Sequence, residues 1–331
     1  MKYFDHKIIK TALGTAISIY LADLLDINFG VTAGIITIIT IQGTKKESIK
    51  VAIERFVASL VGLCIAVLLF NTIGFSSLVF GIFVLIFMPI CIQFNLFQGF
   101  LATVVLVTHM LVIKDVSLDS VANEFKILLL GTVVALVLNM YMPYVKEDIV
   151  KVQMEIDEGM KRIFNYFGEV LITGAIFIDE ETVFNKLKGN VDLYRNLAFK
   201  EYNNDLFNSS TYELDMANMK RSQYKVLVRM RGHFYRFYIS SEHAHLVADF
   251  ARHVANTIGK DDEHENVLKE LVVVREKFGN MPLPQSRVEF ESRAIFFQFL
   301  NDIEEFLEIK KDFLKKYDTV VYGKKKTKKQ K

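Results

Sequence analysis

Six long apolar runs occupy the first 144 residues, and they constrain the fold more than any other feature of the sequence. The runs cover residues 8–25, 27–43, 56–73, 78–94, 96–113 and 127–144. Each is close to the length of a helix that crosses the hydrocarbon core of a bilayer, which is about 30 Å thick. A segment in lipid must satisfy its own backbone polar groups, so the runs predict helices. We expect six transmembrane helices, although the second and fifth runs are also compatible with re-entrant segments.

Charge divides the chain at the end of the sixth run. Residues 1–144 contain 9 Lys and Arg and 8 Asp and Glu, whereas residues 145–331 contain 31 and 30. Hydropathy and charge together predict an all-α fold in three parts. These are a transmembrane domain over 1–145, a cytoplasmic antiparallel helical bundle over 146–320, and a basic disordered tail over 321–331. The tail is a candidate for contact with acidic lipid headgroups.

The positions of the basic residues predict the orientation in the membrane. Lysines precede the first run, a basic cluster over 45–55 follows the second, and further lysines follow the sixth, whereas the turns after the first and third runs carry no Lys or Arg. Cytoplasmic loops are enriched in Lys and Arg. We therefore expect a multi-pass protein of the cell membrane with both termini and the 44–55 loop in the cytoplasm. Lys114 and Lys126, after the fifth run, run against this pattern.

Apolar residues recur at three- and four-residue steps through the second half, which is typical of amphipathic helices. One such face runs from Ile149 to Val170, a second from Phe184 to Ala198, and a third continues without a break from Leu227 to Ile258. A last face lies between Phe296 and Tyr317. Capping boxes beginning at Ser210 and Ser286 predict helix starts. These patterns favour a helical bundle.

Two cations in or beside the apolar runs are candidates for binding an anion. Arg55 comes at the start of the third run, and its guanidinium can hold a carboxylate by two parallel hydrogen bonds. Lys10 lies in the first run. The alternative is that both are interfacial anchors whose charges extend to the headgroups. Thr37, Thr40 and Gln42 are candidates to complete a substrate site, or else they form hydrogen bonds between helices.

Two titratable side chains are candidates for proton coupling. Asp23 lies near the end of the first run, and His109 lies near the end of the fifth. A carboxylate at membrane depth can titrate, and imidazole changes charge near neutral pH. The alternative for both is an ordinary position at the outer interface. The sequence has no phosphate-binding loop, nucleophile triad or metal-ligand motif, so we expect neither an enzyme nor a cofactor or metal. No feature predicts nucleic-acid binding.

The segments KTALGTAISIYLADLL and GVTAGIITIITIQGTKKESIKVAIERFVASLVG resemble the start of the aromatic acid exporter family. In that family a first span is followed by a TAIIT-like second span, a basic loop, and an Arg that opens a third span containing Gly, here Arg55 and Gly62. The second half resembles the C-terminal helical domain of Firmicute members. The resemblance covers roughly residues 3–318. It departs from the family's pattern before the second span, where an aromatic residue or Trp is common and this chain has Phe29-Gly30-Val31.

The resemblance implies export of aromatic carboxylic acids. Larger relatives carry two such membrane halves, so a single six-span unit is expected to form a homo-oligomer. The expected partners are a small organic anion and membrane lipids. Plant malate channels have a similar layout, which leaves an organic-anion channel as an alternative. A membrane sensor or scaffold that transports nothing is a further alternative, because the bundle makes up more than half of the chain.

Overall fold

The computed structural model describes residues 6–142, 145–174, 179–207, 210–234, 242–260 and 264–328. Within these ranges the regular elements are all helices, which confirms the all-α prediction. The first six are α1 (His6–Leu24), α2 (Val31–Thr40), α3 (Lys45–Ile73), α4 (Ser77–Gln93), α5 (Phe97–Ile113) and α6 (Leu118–Met140). The others are α7 (Lys146–Thr173), α8 (Glu180–Asn204), α9 (Tyr212–Phe234), α10 (Glu242–Thr257), α11 (His264–Gly279) and α12 (Arg287–Lys328). Helices α1–α6 belong to one compact unit, and α7–α12, apart from the end of α8, belong to a second.

Apolar side chains cover much of the outer surface of the first unit. Leu24, Leu68, Leu85, Leu101 and Val112 are each more than 60% exposed. Exposed apolar patches of this kind mark a surface made for lipid or for another protein. By length and composition α3 and α6 are able to cross a bilayer, and α2, α4 and α5 are shorter apolar helices. The arrangement of six spans stays a prediction.

Helix α2 is much shorter than the run predicted over 27–43. It has 10 residues, which is about 15 Å of helix and half the thickness of a bilayer core. At its start the chain makes a turn in which Phe29 has a positive φ of 59°. At its end the backbone becomes extended at Ile41, and Thr44 caps α3 by accepting a hydrogen bond from the Glu47 amide (3.4 Å).

Two further helices begin earlier than predicted. Helix α3 starts at Lys45, so the segment expected to be a loop over 44–55 is helical from its second residue. Helix α6 starts at Leu118, nine residues before the predicted run, because Ser117 accepts a hydrogen bond from the Ser120 amide (3.3 Å). Glu124 and Lys126 therefore lie inside a helix rather than in a loop.

Small residues bring α3 and α5 into close contact. A Cβ atom added to Gly99 of α5 would lie 2.4 Å from the Ala58 Cβ and 2.8 Å from the Arg55 Cα. Both distances are too short for real contacts, so only glycine allows this approach. In the same pair of helices the hydroxyls of Ser59 and Thr103 share a hydrogen bond of 2.9 Å. Close backbone approach and hydroxyl pairing are the usual means by which helices associate in lipid.

The second unit is a helical bundle around one core. The faces predicted from 149 to 170 and from 184 to 198 are both buried, in α7 and α8. Aromatic rings join α7 to α12: Phe164 meets Phe306 edge-on at 4.9 Å, and Phe167 meets Phe299 at 5.6 Å. As predicted, Ser286 caps α12 by accepting from the Glu289 amide (3.1 Å).

Two sequence predictions for the second unit differ from the structure, and one of them lies partly outside the described residues. The face predicted to be continuous from 227 to 258 is divided between α9 and α10, and its middle, 235–241, lies outside the described residues. Helix α12 continues to Lys328, so its backbone is helical through most of the segment expected to be a disordered tail over 321–331.

Candidate functional site in the first unit

Arg55 lies one-third of the way along α3 and is 2% exposed. Its guanidinium donates to the Thr40 hydroxyl, to the Ile39 carbonyl (3.4 Å) and to the Gln98 carbonyl (3.3 Å). We call these four residues the Arg55 cluster. An interfacial anchor extends its charge toward headgroups and water. The burial of Arg55 does not fit that alternative.

The charge of Arg55 has no acidic counterpart in the described part of the chain. No carboxylate lies within 4.0 Å of it there, and its buried Nε has no hydrogen-bond partner. Neutral hydroxyl and carbonyl oxygens are its partners instead. A buried cation with neutral partners alone is costly, because its loss of hydration is only partly offset. The Arg55 cluster therefore has the chemistry to accept an anion.

A second group of hydrogen bonds holds the extended segment between α2 and α3 beside this cluster. The Asn139 amide of α6 donates to the Ser48 hydroxyl (2.6 Å) and to the carbonyls of Gln42 (3.3 Å) and Thr44 (3.4 Å). The Gln42 side chain donates to the Ile39 carbonyl at 2.9 Å. Gln42 thus lies next to the Arg55 cluster without contacting the guanidinium.

At the other end of α2, a second polar cluster surrounds His109. The imidazole Nδ1 lies 2.8 Å from the Glu124 carboxylate, and Nε2 lies 3.1 Å from the Thr32 hydroxyl. Glu124 is fully buried and His109 is 7% exposed. Phe29 stacks on the imidazole, with ring centroids 4.2 Å apart and planes within 3°. We call these four residues the His109 cluster, and its side chains come from α5, α6, α2 and the turn before α2.

Helix α2 connects the two clusters through threonines on its buried face. Thr32 belongs to the His109 cluster and Thr40 to the Arg55 cluster, about 12 Å apart along the helix. Between them the Thr37 hydroxyl lies 2.6 Å from the Ser18 hydroxyl, 2.9 Å from the Ala33 carbonyl and 3.0 Å from the Gly131 carbonyl. Thr37 therefore links α1, α2 and α6, and these hydrogen bonds go to no residue of either cluster.

The remaining predicted site residues lie apart from both clusters. Lys10 is half-buried and its ammonium donates to the Tyr141 carbonyl at the end of α6. Asp23 is exposed beside Gly30. The described residues thus bring Thr40 together with Arg55, place Thr37 and Gln42 nearby, and leave Lys10 and Asp23 outside.

Sequence reasoning missed Glu124 as a functional candidate because the residue lies between the fifth and sixth predicted runs, outside both. A signal was available: the buried positions of α6 recur as Ser120, Glu124, Ile127, Leu128 and Gly131, which is one helix face. Glu124 falls on that face, so the helical period places a carboxylate among buried apolar residues.

Comparison with known proteins agrees with the two-unit division. The model of aromatic acid exporter family member 1 matches residues 2–142, and the model of the aromatic acid exporter C-terminal domain matches residues 146–311. A Bacillus subtilis (strain 168) protein, "Uncharacterized protein YqjA", is 29% identical over 311 residues, which cover 93% of this chain and 95% of that protein. A crystal structure of a protein from Clostridium difficile 630 is 22% identical and covers 50% of this chain and 98% of its own, with a TM-score of 0.46. The two family models together span nearly the whole sequence, and the chain belongs to the aromatic acid exporter family.

Proposed function

We propose that the protein is a membrane transporter that exports aromatic or similar organic carboxylates from the cytoplasm, and that Arg55 binds the carboxylate of the substrate. One observation carries the proposal: Arg55 is a buried cation with neutral partners in an apolar helical unit. The family membership supports transport of an aromatic acid.

The Arg55 cluster explains why an anion would bind at this point. Leaving one partner of a buried ion pair alone costs several kcal/mol. A substrate carboxylate would supply the missing partner, and its bonds to a guanidinium are stronger than those between neutral groups. Thr40 accepts a hydrogen bond from the guanidinium and holds it in place. The substrate carboxylate would replace the Thr40 hydroxyl as the acceptor of that bond. Thr37 and Gln42 lie on either side of Thr40 in the chain, and their hydrogen bonds hold this segment in place. They would therefore position Thr40 rather than contact the ligand.

Lys10 and the basic first turns of α3 would attract the anion before it binds. Lys45, Lys46 and Lys50 are close together in sequence on α3, and each is at least partly exposed. A group of like charges raises the local concentration of an oppositely charged ligand. The sequence contains no ATP-binding motif, so we propose that an ion gradient or the gradient of the substrate itself drives export. The mechanism we propose requires no cofactor.

The test is transport by the purified full chain in proteoliposomes, with a panel of labelled benzoates and hydroxybenzoates. Arg55→Lys keeps the charge but loses two-point binding, and Arg55→Met removes the charge. Both should weaken apparent affinity by roughly ten- to a hundredfold, since a charge-assisted hydrogen bond contributes about 1.5–3 kcal/mol.

Lys50→Met is the matched control, because Lys50 is an exposed cation on the same helix, 3.7 Å from Glu54. This variant removes one of several attracting charges, so it should weaken apparent affinity far less than either Arg55 variant. Wild-type transport by Arg55→Lys would rule out the binding role of Arg55. Ion currents without saturation or exchange would instead favour an organic-anion channel.

Export requires a defined orientation and assembly. We propose a multi-pass protein of the cell membrane with both termini in the cytoplasm and at least two copies of the chain, since larger relatives carry two membrane halves. Single cysteines at Lys46 and Lys324 should resist an impermeant thiol reagent in intact cells, and labelling there would refute this topology. A monomeric mass in both mild detergent and nanodiscs would refute the homo-oligomer.

A further inference from the structure

A buried acid–base pair lies in the first unit without a role in binding the substrate. His109 and Glu124 are 2.8 Å apart, and their side chains are 9% and 0% exposed. On α3, Lys50 and Glu54 also form an ion pair, but there the lysine side chain is 76% exposed. Buried ionisable groups in a membrane domain mark proton or ion sites more often than they mark stability. The pair therefore needs a functional explanation.

We propose that the His109–Glu124 pair is the proton-binding site of the transporter, and that the Glu124 carboxylate is the group whose charge the proton neutralises. The inference rests on the proposed function, to which it adds the coupling ion and its site. Asp23, the other sequence candidate, is exposed and is not needed in this mechanism.

Counting protons shows why this pair would alternate between two states. With one proton on imidazole and none on the carboxylate, the pair has a net charge of −1. Adding one proton, to the second imidazole nitrogen or to the carboxylate, brings the net charge to zero. A buried site strongly favours the neutral state, because an unpaired ion loses its hydration. The closed, buried arrangement therefore corresponds to the proton-loaded pair, and release of the proton favours opening toward water.

The hydrogen bonds around the pair suit both states. The Thr32 hydroxyl, 3.1 Å from Nε2, can donate to a bare nitrogen or accept from a protonated one. Nδ1 faces the Glu124 carboxylate. It donates a hydrogen bond to the carboxylate when the carboxylate is ionised, and it accepts one when the carboxyl group holds the proton. Gain or loss of one proton therefore requires only rotation of the hydroxyl.

Other charged side chains near this end of the unit do not compete for that role. They are Asp23 and Asp26 before α2, Lys114 and Asp115 after α5, and Asp119 and Lys126 on α6, all exposed or half-buried. Helices α2 and α4 contain no charged residue, and those of α3 end at Arg55. Glu124 is thus the fully buried carboxylate among the described groups at this end.

The position of α2 explains how the proton site would affect the substrate site. This helix contacts His109 through Thr32 in its first turn and Arg55 through Thr40 in its last. Asn28 and Asn123 join the turn before α2 to α6 by two hydrogen bonds of 3.0 Å. Movement at the pair would displace α2 as a unit and change the partners of Arg55. Phe29, stacked on the imidazole, covers the pair when it is closed.

The experiment uses the full chain in lipid bilayers and compares the wild type with Glu124→Gln. Infrared difference spectra between about pH 5 and 8, the range over which histidine ordinarily titrates, detect a change at the Glu124 carboxylate without any substrate, whether the proton resides on the carboxylate or on the imidazole that faces it. Exposed carboxyl groups titrate near pH 4 and contribute little there. Asp119→Asn, which removes an exposed acid five residues away on α6, is the matched control.

We expect a Glu124-dependent change, either a carboxyl band or a shift of the carboxylate band beside imidazolium, that Glu124→Gln abolishes and Asp119→Asn retains. In proteoliposomes with the same labelled benzoates, Glu124→Gln should lose accumulation driven by a pH gradient while keeping exchange of labelled for unlabelled substrate. If Glu124→Gln does not fold, Glu124→Asp keeps the titrating group and must shift the band.

Two results would overturn the proposal: spectra without a contribution from Glu124 in that range, or gradient-driven accumulation by Glu124→Gln equal to that of the wild type. Failure of the proposed function looks different. In that case the wild type would transport none of the benzoates, while the Glu124 band would still be present and the proton site would stand.

Discussion

Two buried charges, one in each unit, are treated in opposite ways. Asp302 in α12 is 1% exposed, and it accepts hydrogen bonds from Arg229 (2.9 Å) and His233 (2.7 Å). Arg55 in α3 is 2% exposed and has hydroxyl and carbonyl partners alone in the described chain. The buried charge of Asp302 is thus paired with opposite charges, whereas that of Arg55 is met by neutral groups in the described residues.

Under the proposed function, a charge in a completed network stabilises the fold, whereas a lone buried charge is kept to bind the substrate. Removing a group from a completed network leaves its former partners unpaired and costs stability. Replacing a lone buried charge by an apolar side chain costs little, because the charge was already unfavourable. Stability and transport should therefore respond oppositely to mutation at these two positions.

The largest stability effect is expected from Asp302→Ala. It should lower the local unfolding free energy of α9 and α12 by about 2–3 kcal/mol, because two charge-assisted hydrogen bonds are lost. The loss stays below the roughly 3–5 kcal/mol of a fully buried pair. The reason is that Arg229 is 46% exposed and keeps Glu305 as a partner. Hydrogen exchange of the backbone amides of α9 and α12, in the full chain, measures this local unfolding free energy.

The same variant should show a defined dependence on pH. Burial alone would raise the pKa of Asp302, but hydrogen bonds from His233 and Arg229 outweigh burial, and the pKa lies below its ordinary value. A lowered pKa means that the stabilisation is complete above about pH 4 and is lost as the pH falls through the folded-state pKa. The difference in unfolding free energy between the wild type and Asp302→Ala should therefore become smaller in acid.

Arg55→Met is the corresponding variant in the first unit, and it should cost little stability. A loss of stability equal to that of Asp302→Ala would invalidate the comparison.

A smaller effect is expected from two glycines, one in each unit. Gly99→Ala should destabilise the packing of α3 on α5 by about 1–3 kcal/mol, because overpacked contacts force the backbone to shift. The added Cβ would lie 2.8 Å from the Arg55 Cα, so transport should fall as well. Gly189→Ala in α8, where no atom lies within 4 Å of the new Cβ, should stabilise by up to about 1 kcal/mol. The aggregation temperature of each detergent-solubilised variant measures the effect: it should fall for Gly99→Ala and rise for Gly189→Ala. Equal shifts of this temperature in the two variants would contradict the packing explanation.

Local signals in the sequence were sufficient for α7 and α8, but they merged α9 with α10 and misplaced helix starts in the first unit. Periodicity predicted the buried face of α7, because each turn must present apolar residues to one core. Hydropathy misplaced the starts of α3 and α6, because both helices begin in charged turns that precede the apolar runs. Capping residues mark both starts: Thr44 precedes Glu47 by three residues, and Ser117 precedes Ser120 in the same way.

The candidate sites were harder to predict because they depend on contacts between helices. Arg55 and Thr40 were both candidates, and the structure brings them together. No local pattern pairs His109 with Glu124, or Asn139 with Ser48, which is 91 residues away. Such pairs form only when α2, α3, α5 and α6 pack, and the packing depends on where each glycine allows close approach.

The short length of α2 has an electrical consequence. Its two ends lie about 15 Å apart, half the thickness of the bilayer core. If water reaches both polar clusters, the membrane voltage falls mainly across this short distance, so the electric field there is roughly twice that across an intact bilayer. Each elementary charge that crosses gains or loses about 2.3 kcal/mol per 100 mV. A cytoplasm that is electrically negative would then drive an organic anion outward over the length of one short helix.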